Sequence, residues 1–437
     1  MFILRCLAVY LPFEEFILKW LPVSDLIYSL LRQVPDILIF GLMSILVLER
    51  ILSGRLIPII GGRVDFFLAM FVCWAFMTIL LNPGADAFLG IANIKALLRY
   101  VLLIYIVLLL NPTGSEIEKI VRWLWFVVVA QICIGLFQLI GGIPVRDFLA
   151  ARHVSEGIGG MVKTFTGDRF EGVNDLMGTM GDTISYGYFL MIGLVIWIFK
   201  KPSRGVKEWI ITLLFIGLIY LSGSKAIFLS SIMILIGYLV WLYGWRRVCI
   251  WTGFVLPVVA VFMWSAVSNE MVADIQADSS RLLQGLMNSR LGIMVYILPE
   301  LFLSPHSIIG FSPDKYFFTE IVVTRFPMIP SILVAILPLI LEDVYWVAMQ
   351  VYFGWIGFFC WLFFLVILYR RIKSGIYIWG YFRNKIAVVA MVLILVAIPL
   401  NLLNQAFEVR TFSFYLWLFC GFALVKRRQA IKSWSMR

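Results

Sequence analysis

The chain is poor in charge and almost devoid of histidine: 14% of its 437 residues are Asp, Glu, Lys or Arg, and two are His. With 62% hydrophobic residues it could not cover a surface in water without very large apolar patches, which excludes a water-soluble globular protein. The two histidines, His153 and His306, stand too far apart in sequence for a paired zinc motif. A Walker loop, a dinucleotide glycine fingerprint and a nucleophile elbow are also missing, so nucleotide hydrolysis and zinc proteolysis drop out. Gly157 to Gly160 follows no strand and opens no clear helix, and reads as a flexible loop rather than a phosphate cradle. The six cysteines (Cys6, Cys73, Cys133, Cys249, Cys360 and Cys420) lie in or at the end of apolar segments without metal-ligand spacing, and read as small buried residues. No metal and no cofactor is expected.

What the chain does have is a series of apolar segments with a mean hydropathy of +0.98. A helix needs about 20 apolar residues to span a bilayer, with tolerance for tilt. The sequence predicts about twelve spans: Phe2 to Trp20, Ile37 to Leu52, Val64 to Leu81, Ala96 to Leu110, Val121 to Ile140, Ile184 to Phe199, Trp209 to Leu221, Ala226 to Tyr243, Val248 to Val267, Val344 to Tyr369, Ile386 to Leu403 and Phe412 to Val425. The expected fold is therefore all-α, one polytopic membrane domain over residues 1–437.

The net charge of +11 resides in the connections, not in a folded basic domain, which excludes nucleic acid as a partner. Arg50, Arg55 and Arg63 share one connection, Lys200, Lys201, Arg204 and Lys207 another, and Arg246 and Arg247 a third. Arg370, Arg371, Lys373, Arg383 and Lys385 fill a later one, and Lys426 to Arg437 forms a basic tail. Lys/Arg-rich short loops stay cytoplasmic, so both termini are predicted inside; without a small-residue cleavage site after it, Phe2 to Trp20 is predicted to be a retained span rather than a cleaved signal. Phe2 to Trp20 carries Arg5, Glu14, Glu15 and Lys19, as an interfacial segment would, and Ala96 to Leu110 holds Arg99. Phe326 to Leu341, interrupted by Pro327, Pro330 and Pro338, reads as re-entrant or interfacial.

Two long loops fall on the opposite, outer side. Gly141 to Thr183 has six carboxylates against four basic residues, and Ser268 to Asp343 has eight against four. Loops of this length are uncommon unless functional or disordered. Leu282 to Leu301 has the apolar spacing of an amphipathic helix, suited to the membrane surface or to ordinary packing. A transporter should concentrate ionisable groups in mid-span or break its helices at matching positions, and the sequence offers little of either beyond Arg99. Arginines in outer loops fit better an enzyme acting on a lipid-linked substrate. A departing phosphate or pyrophosphate develops charge, and a planar bidentate donor in a partly dry site stabilises that charge most in the transition state.

Several short stretches, taken in order, resemble the bacterial O-antigen ligase and polymerase (Wzy-like) superfamily from roughly Asp168 to Tyr369. They are Asp168-Arg169-Phe170-Glu171-Gly172 followed by Gly181-Asp182-Thr183-Ile184-Ser185-Tyr186-Gly187, then the turn Ser222-Gly223-Ser224-Lys225-Ala226. After these come Arg281, Arg290-Leu291-Gly292-Ile293-Met294 and Ser304-Pro305-His306-Ser307-Ile308-Ile309-Gly310-Phe311, and finally Asp343-Val344-Tyr345-Trp346 leading to Gly354-Trp355-Ile356-Gly357, similar to a segment that re-enters the membrane. Two departures stand out. Lys225 occupies a position where arginine is usual, keeping the charge without the fork, and Glu342 and Asp343 stand where ligases commonly have histidine.

The second departure points to a polymerase ahead of a ligase acting on lipid A core or protein; a polysaccharide or lipid-linked-sugar exporter is the non-enzyme rival. The resemblance implies a metal-independent, inverting, lipid-dependent glycosyltransferase of the bacterial inner membrane, acting at its periplasmic face. Its implied partners are an undecaprenyl pyrophosphate-linked oligosaccharide, membrane lipid, and a chain-length regulator and flippase of the same pathway. Arg169, Lys225 and Arg290, with Arg281 in reserve, are the expected pyrophosphate ligands. Glu342 and Asp343, then Asp182, are the expected general bases toward the acceptor hydroxyl. His306, Tyr345 and Trp346 are expected to touch substrate; with Tyr316, Phe317 and Phe318 the aromatics equally fit an interfacial belt.

Overall fold

In a bilayer the backbone N–H and C=O groups find no water, so a chain this apolar must satisfy them inside helices. The computed structural model describes residues 1–21, 24–55, 60–149, 176–200, 205–244, 304, 306–325, 341, 344–379, 385–403 and 405–435. Among them the regular structure is helical throughout, without a strand. The helices are α1 (Phe2–Tyr10), α2 (Glu14–Lys19), α3 (Asp25–Arg32), α4 (Val34–Leu52), α5 (Gly62–Leu81), α6 (Ala87–Leu98), α7 (Leu102–Leu110), α8 (Gly114–Leu149), α9 (Thr183–Lys200), α10 (Val206–Leu221) and α11 (Lys225–Tyr243). They continue with α12 (His306–Ile309), α13 (Lys315–Arg325), α14 (Tyr345–Trp379), α15 (Lys385–Leu403) and α16 (Arg410–Ser435).

Five of the described helices are long and apolar enough to cross a membrane, or six if the bent pair α6 and α7 counts as one span. The protein is thus a helical membrane protein. The predicted spans from Ile37 to Tyr243 each coincide with described helix, with α6 and α7 together covering Ala96 to Leu110. Val248 to Val267 and the amphipathic Leu282 to Leu301 lie outside the described residues, as does Phe326 to Leu341 apart from its last residue.

The sequence marks many of the ends. Asp86 caps α6 by accepting from the N–H groups of Phe88 and Leu89 at 2.8 and 3.2 Å. Thr113 and Glu116 form a reciprocal capping box at α8: the Thr113 N–H donates to Glu116 at 2.8 Å and the Glu116 N–H to the Thr113 hydroxyl at 3.4 Å. The α7 helix stops at Asn111, whose left-handed backbone (φ 44°) is a conformation asparagine tolerates better than most residues.

Three segments depart from the continuous spans expected. Phe2 to Trp20 is not one helix: α1 and α2 are separated by a turn of 3-10 helix at Leu11–Phe13, where proline interrupts the regular bonding. The Pro12 carbonyl instead accepts from the Thr179 hydroxyl at 2.7 Å and the Gln131 side-chain amide at 3.2 Å. Ala96 to Leu110 is bent by 48° between α6 and α7. Val344 to Tyr369 breaks inside α14 at Gly354 (φ 61°, ψ −174°). The apolar stretch of α8 ends at a break at Gly142 (φ 61°), beside the predicted loop start at Gly141, and helix resumes beyond it to Leu149.

The break in α14 is a backbone crossing. Gly310, at φ 100°, lies so close that an added Cβ would sit 2.5 Å from the Tyr352 carbonyl oxygen; one on Gly354 would sit 2.3 Å from the Ile308 carbonyl oxygen. The crossing is pinned by Phe311 N–H to Val351 carbonyl at 2.8 Å, Trp74 indole N–H to Phe353 carbonyl at 2.8 Å, and Asn82 amide to Gly310 carbonyl at 3.2 Å. Two of the stretches that carry the family resemblance, Ser304 to Phe311 and Tyr345 to Gly357, are therefore in direct contact.

Candidate functional site

Seven ionisable side chains from five helices meet at one end of the bundle. Asp36, at the start of α4, is buried to 2% side-chain exposure and accepts from Arg99 at 3.3 Å. Lys95 approaches the same carboxylate oxygen at 3.5 Å and donates to the Gln33 side chain at 3.0 Å. Arg99 also donates to the Glu408 carbonyl at 3.2 Å, and its guanidinium lies 4.8 Å from the centre of the Tyr100 ring. Arg410, first residue of α16, pairs with Glu14 at 3.4 Å and donates to the Arg32 carbonyl at 2.7 Å. Arg32 in turn pairs with Glu15 at 2.9 Å, which accepts from the Tyr28 hydroxyl at 2.7 Å.

The sequence brings these groups together through its helix breaks. Arg99 occupies the elbow between α6 and α7, and Glu14 follows the 3-10 turn, so neither has to sit in the middle of an uninterrupted apolar span. Charges in such surroundings cost several kcal/mol each unless paired, roughly, and here the buried ones are paired. Two cations are not sequestered: Arg32 and Lys95 keep 49% and 43% of their side chains exposed. Four buried polar atoms in and around the network have no hydrogen-bond partner among the described residues: Asp36 Oδ1, Arg99 Nε, and the Tyr100 and Tyr345 hydroxyls. The cluster therefore presents two partly exposed cations at its rim, each paired with a carboxylate, over an interior closed to solvent that holds the unmatched polar atoms.

Of the residues singled out from the sequence, Arg169, Arg281, Arg290, Glu342 and Asp343 lie outside the described residues. Asp182 is described and caps α9, accepting the Ser185 N–H at 2.6 Å. Burial pushes its carboxyl pKa above the usual range against the opposing pull of that hydrogen bond, and Glu15 and Arg32 of the ionic network are within electrostatic reach. Lys225 opens α11 with its side chain exposed, and no hydrogen bond or ion pair links it to the network. Its turn packs on α9: a Cβ on Gly187 would sit 2.8 Å from the Ser222 hydroxyl.

His306 starts α12, exposed, with its ring stacked on Phe311 at 5.1 Å. Tyr345 is completely buried against Phe407, and the Trp346 indole N–H is engaged by the Ile398 carbonyl at 2.9 Å, so both rings pack inside the bundle. Tyr316 is an exposed aromatic; Phe318 is buried against Phe311. Among the described residues no three His, Cys, Asp or Glu side chains are grouped as a metal ion would need.

The residues that sequence reading missed are Asp36, Lys95, Arg32 and Arg410. Their only sequence signal is charge at or within an apolar segment. No protein-family model matches this chain, and no curated protein is found to be similar to it.

Proposed function

We propose that this protein is a lipid-dependent, metal-independent glycosyltransferase of the bacterial inner membrane, a polysaccharide or O-antigen polymerase. It would pass a glycan from an undecaprenyl pyrophosphate-linked donor to a lipid-linked acceptor saccharide. In the topology we propose, the chain spans the membrane about twelve times with both termini inside. Arg50, Arg371, Arg427 and Arg428 then face the cytoplasm, and the ionic network with Asp182 and Lys225 faces the periplasm.

The observation that carries this reading is the cationic rim of Arg32 and Lys95 above buried, unmatched polar atoms at the predicted outer end. Such a rim can receive a diphosphate while Arg99 and Arg410, held by Asp36 and Glu14, fix its geometry. Asp182, with its raised pKa, is the described carboxylate best suited to exchange a proton with the acceptor hydroxyl. The crossing of Ser304 to Phe311 with Tyr345 to Gly357 supports the family resemblance, because it gives two of its stretches one structural purpose.

A second reading draws on the bent α6 and α7 pair, with the Arg99–Asp36 ion pair at its elbow. Broken helices bearing ionisable groups are what an exporter of lipid-linked sugars would use. Glycan analysis of cells lacking the protein separates these readings. Single repeats on periplasmic carrier lipid support the polymerase, long chains stranded on the carrier support a ligase, and lipid-linked units retained in the cytoplasmic leaflet support an exporter. Unchanged surface glycan contradicts all three.

A further inference from the structure

The short helix α3, Asp25–Arg32, reverses the pattern of a helix on a water-soluble protein, because its apolar side chains are the exposed ones. Leu26 and Leu30 are 61% and 58% exposed, with Ile27 exposed beside them, whereas Tyr28 is buried to 2%. At 3.6 residues per turn, Leu26, Ile27, Leu30 and Leu31 fall within an arc of about 140°, and Tyr28, Ser29 and Arg32 within an arc of about 100° on the other side. Two contacts orient that second side. The Tyr28 hydroxyl donates to the Glu15 carboxylate of α2 at 2.7 Å, and Arg32 pairs with the same carboxylate at 2.9 Å.

Three environments therefore surround one helix axis. Tyr28 faces the protein, Leu26, Ile27 and Leu30 face outwards with apolar surface, and the polar, exposed Ser29 and Arg32 lie between those two sectors. Ser29 and Leu30 are separated by only about 1.5 Å along the axis, yet one suits water and the other hydrocarbon. A helix standing along the membrane normal shows both to the same layer, because depth then changes along the axis and not around it. A helix lying along the boundary instead keeps one flank among acyl chains and the other at the head groups over its whole length. With eight residues α3 is also far short of the roughly 20 that a span needs.

The chain on either side fits that boundary. Just before α3, the exposed Trp20 ring packs on Phe148 at 5.3 Å and has the Lys19 ammonium 5.6 Å from its centre, while Lys19 donates to the Phe148 carbonyl at 2.9 Å. Tryptophan concentrates where hydrocarbon meets water, and a lysine stem can lie on apolar surface with its charge in the polar layer. Just after α3, Pro35 in the first turn of α4 interrupts the regular bonding, so α3 does not run on as part of the apolar segment that follows.

We propose that α3 lies in the plane of the membrane, with Leu26, Ile27 and Leu30 inserted among the phospholipid acyl chains of one leaflet and Ser29 and Arg32 at head-group level. This placement is independent of the proposed glycan transfer, and either can fail without the other. The test uses the unaltered full chain in phospholipid liposomes with an apolar photoreactive diazirine dissolved in the bilayer, its adducts mapped to single residues by tandem mass spectrometry. Leu26, Ile27 and Leu30 should be labelled, as should Ile45 on the exposed face of α4, and Ser29 should not. Labelling of Ile45 with none on the three α3 residues means that water, another part of the chain or a second copy covers that flank, and overturns the proposal. Equal labelling of Leu30 and Ser29 puts the helix wholly inside hydrocarbon and overturns it too. Ser29→Cys and Leu30→Cys give the complementary reading with a charged maleimide, adducts being assigned by peptide mapping. An apolar setting keeps a thiol protonated, and each unit of raised pKa leaves about tenfold less reactive thiolate, so Ser29→Cys should react at least about tenfold faster in liposomes. Both should react fully after denaturation, and equal rates in the folded protein contradict the placement.

Discussion

Replacing Gly354 by alanine tests the architecture at its tightest point. The residue adopts φ 61°, and its new Cβ would stand 2.3 Å from the Ile308 carbonyl oxygen and 2.6 Å from the Gly310 nitrogen. Both are backbone atoms, so no side chain can rotate away. A residue with a Cβ held at φ 61° and ψ −174°, a region essentially confined to glycine, costs about 1–3 kcal/mol. Forcing extra volume into a packed contact adds about 1–3 kcal/mol. Separating the strands of the crossing would also lengthen the 2.8 Å bond from Phe311 to Val351, a net loss of about 1 kcal/mol. We therefore expect Gly354→Ala to lose about 3–7 kcal/mol, taken as the sum of these contributions. Gly217→Ala on α10 is the matched control: nothing lies within 4 Å of its added Cβ, and better helix propensity should make it neutral to about 1 kcal/mol stabilising. Unfolding would be followed by heat or denaturant in the same detergent for both variants. If Gly354→Ala unfolds together with Gly217→Ala, the backbone crossing is not where the structure places it.

Three further expectations concern the ionic end. Asp36→Leu leaves Arg99 buried without its counter-charge and should cost about 3–5 kcal/mol, whereas Asp36→Leu with Arg99→Met should recover much of it; equal losses in the single and double variants would argue against the pair. Asp182→Ala removes the cap of α9 and should cost about 0.5–2 kcal/mol, with Asp182→Asn retaining most of it. Because burial raises the Asp182 pKa in the folded state, its contribution is present below the unfolded value of about 3.9 and is lost as pH rises through the folded value; a pH scan of unfolding should flatten in Asp182→Asn, and an unchanged profile would dismiss that burial. Lys225→Ala, with a side chain that is exposed and bonds to none of the described residues, should change stability by no more than about 0.5 kcal/mol. If Lys225 holds a phosphate, the same variant should still shorten the glycan made in cells.

The apolar character of the helices was legible because it depends on composition over many residues, and segments such as Ile37 to Leu52 and Val64 to Leu81 coincide with α4 and α5. Their interruptions were not. Val344 to Tyr369 is apolar from end to end, and hydropathy is blind to the φ of Gly354; the break follows from the docking of Gly310, a residue 44 positions away in the chain. The ionic network was hidden for a related reason. Asp36 and Arg99 are separated by 63 residues, and Glu14 and Arg410 by 396, distances at which no local pattern operates. The one trace was the set of charges that spoiled otherwise good spans: Glu14, Glu15 and Arg99 weakened the reading of their segments, and all three belong to the network. The capping residues Thr113 and Glu116, by contrast, act within four positions and could be read directly.

In the proposed transfer, the rim formed by Arg32 and Lys95 receives the diphosphate of a lipid-linked glycan. The protein reconstituted in lipid with undecaprenyl pyrophosphate-linked oligosaccharide should lengthen the glycan and release undecaprenyl pyrophosphate, one carrier for each repeat added. Arg32→Gln with Lys95→Gln should abolish both while the protein stays folded. Undiminished lengthening by that double variant, or no lengthening by the unaltered protein, would contradict the account.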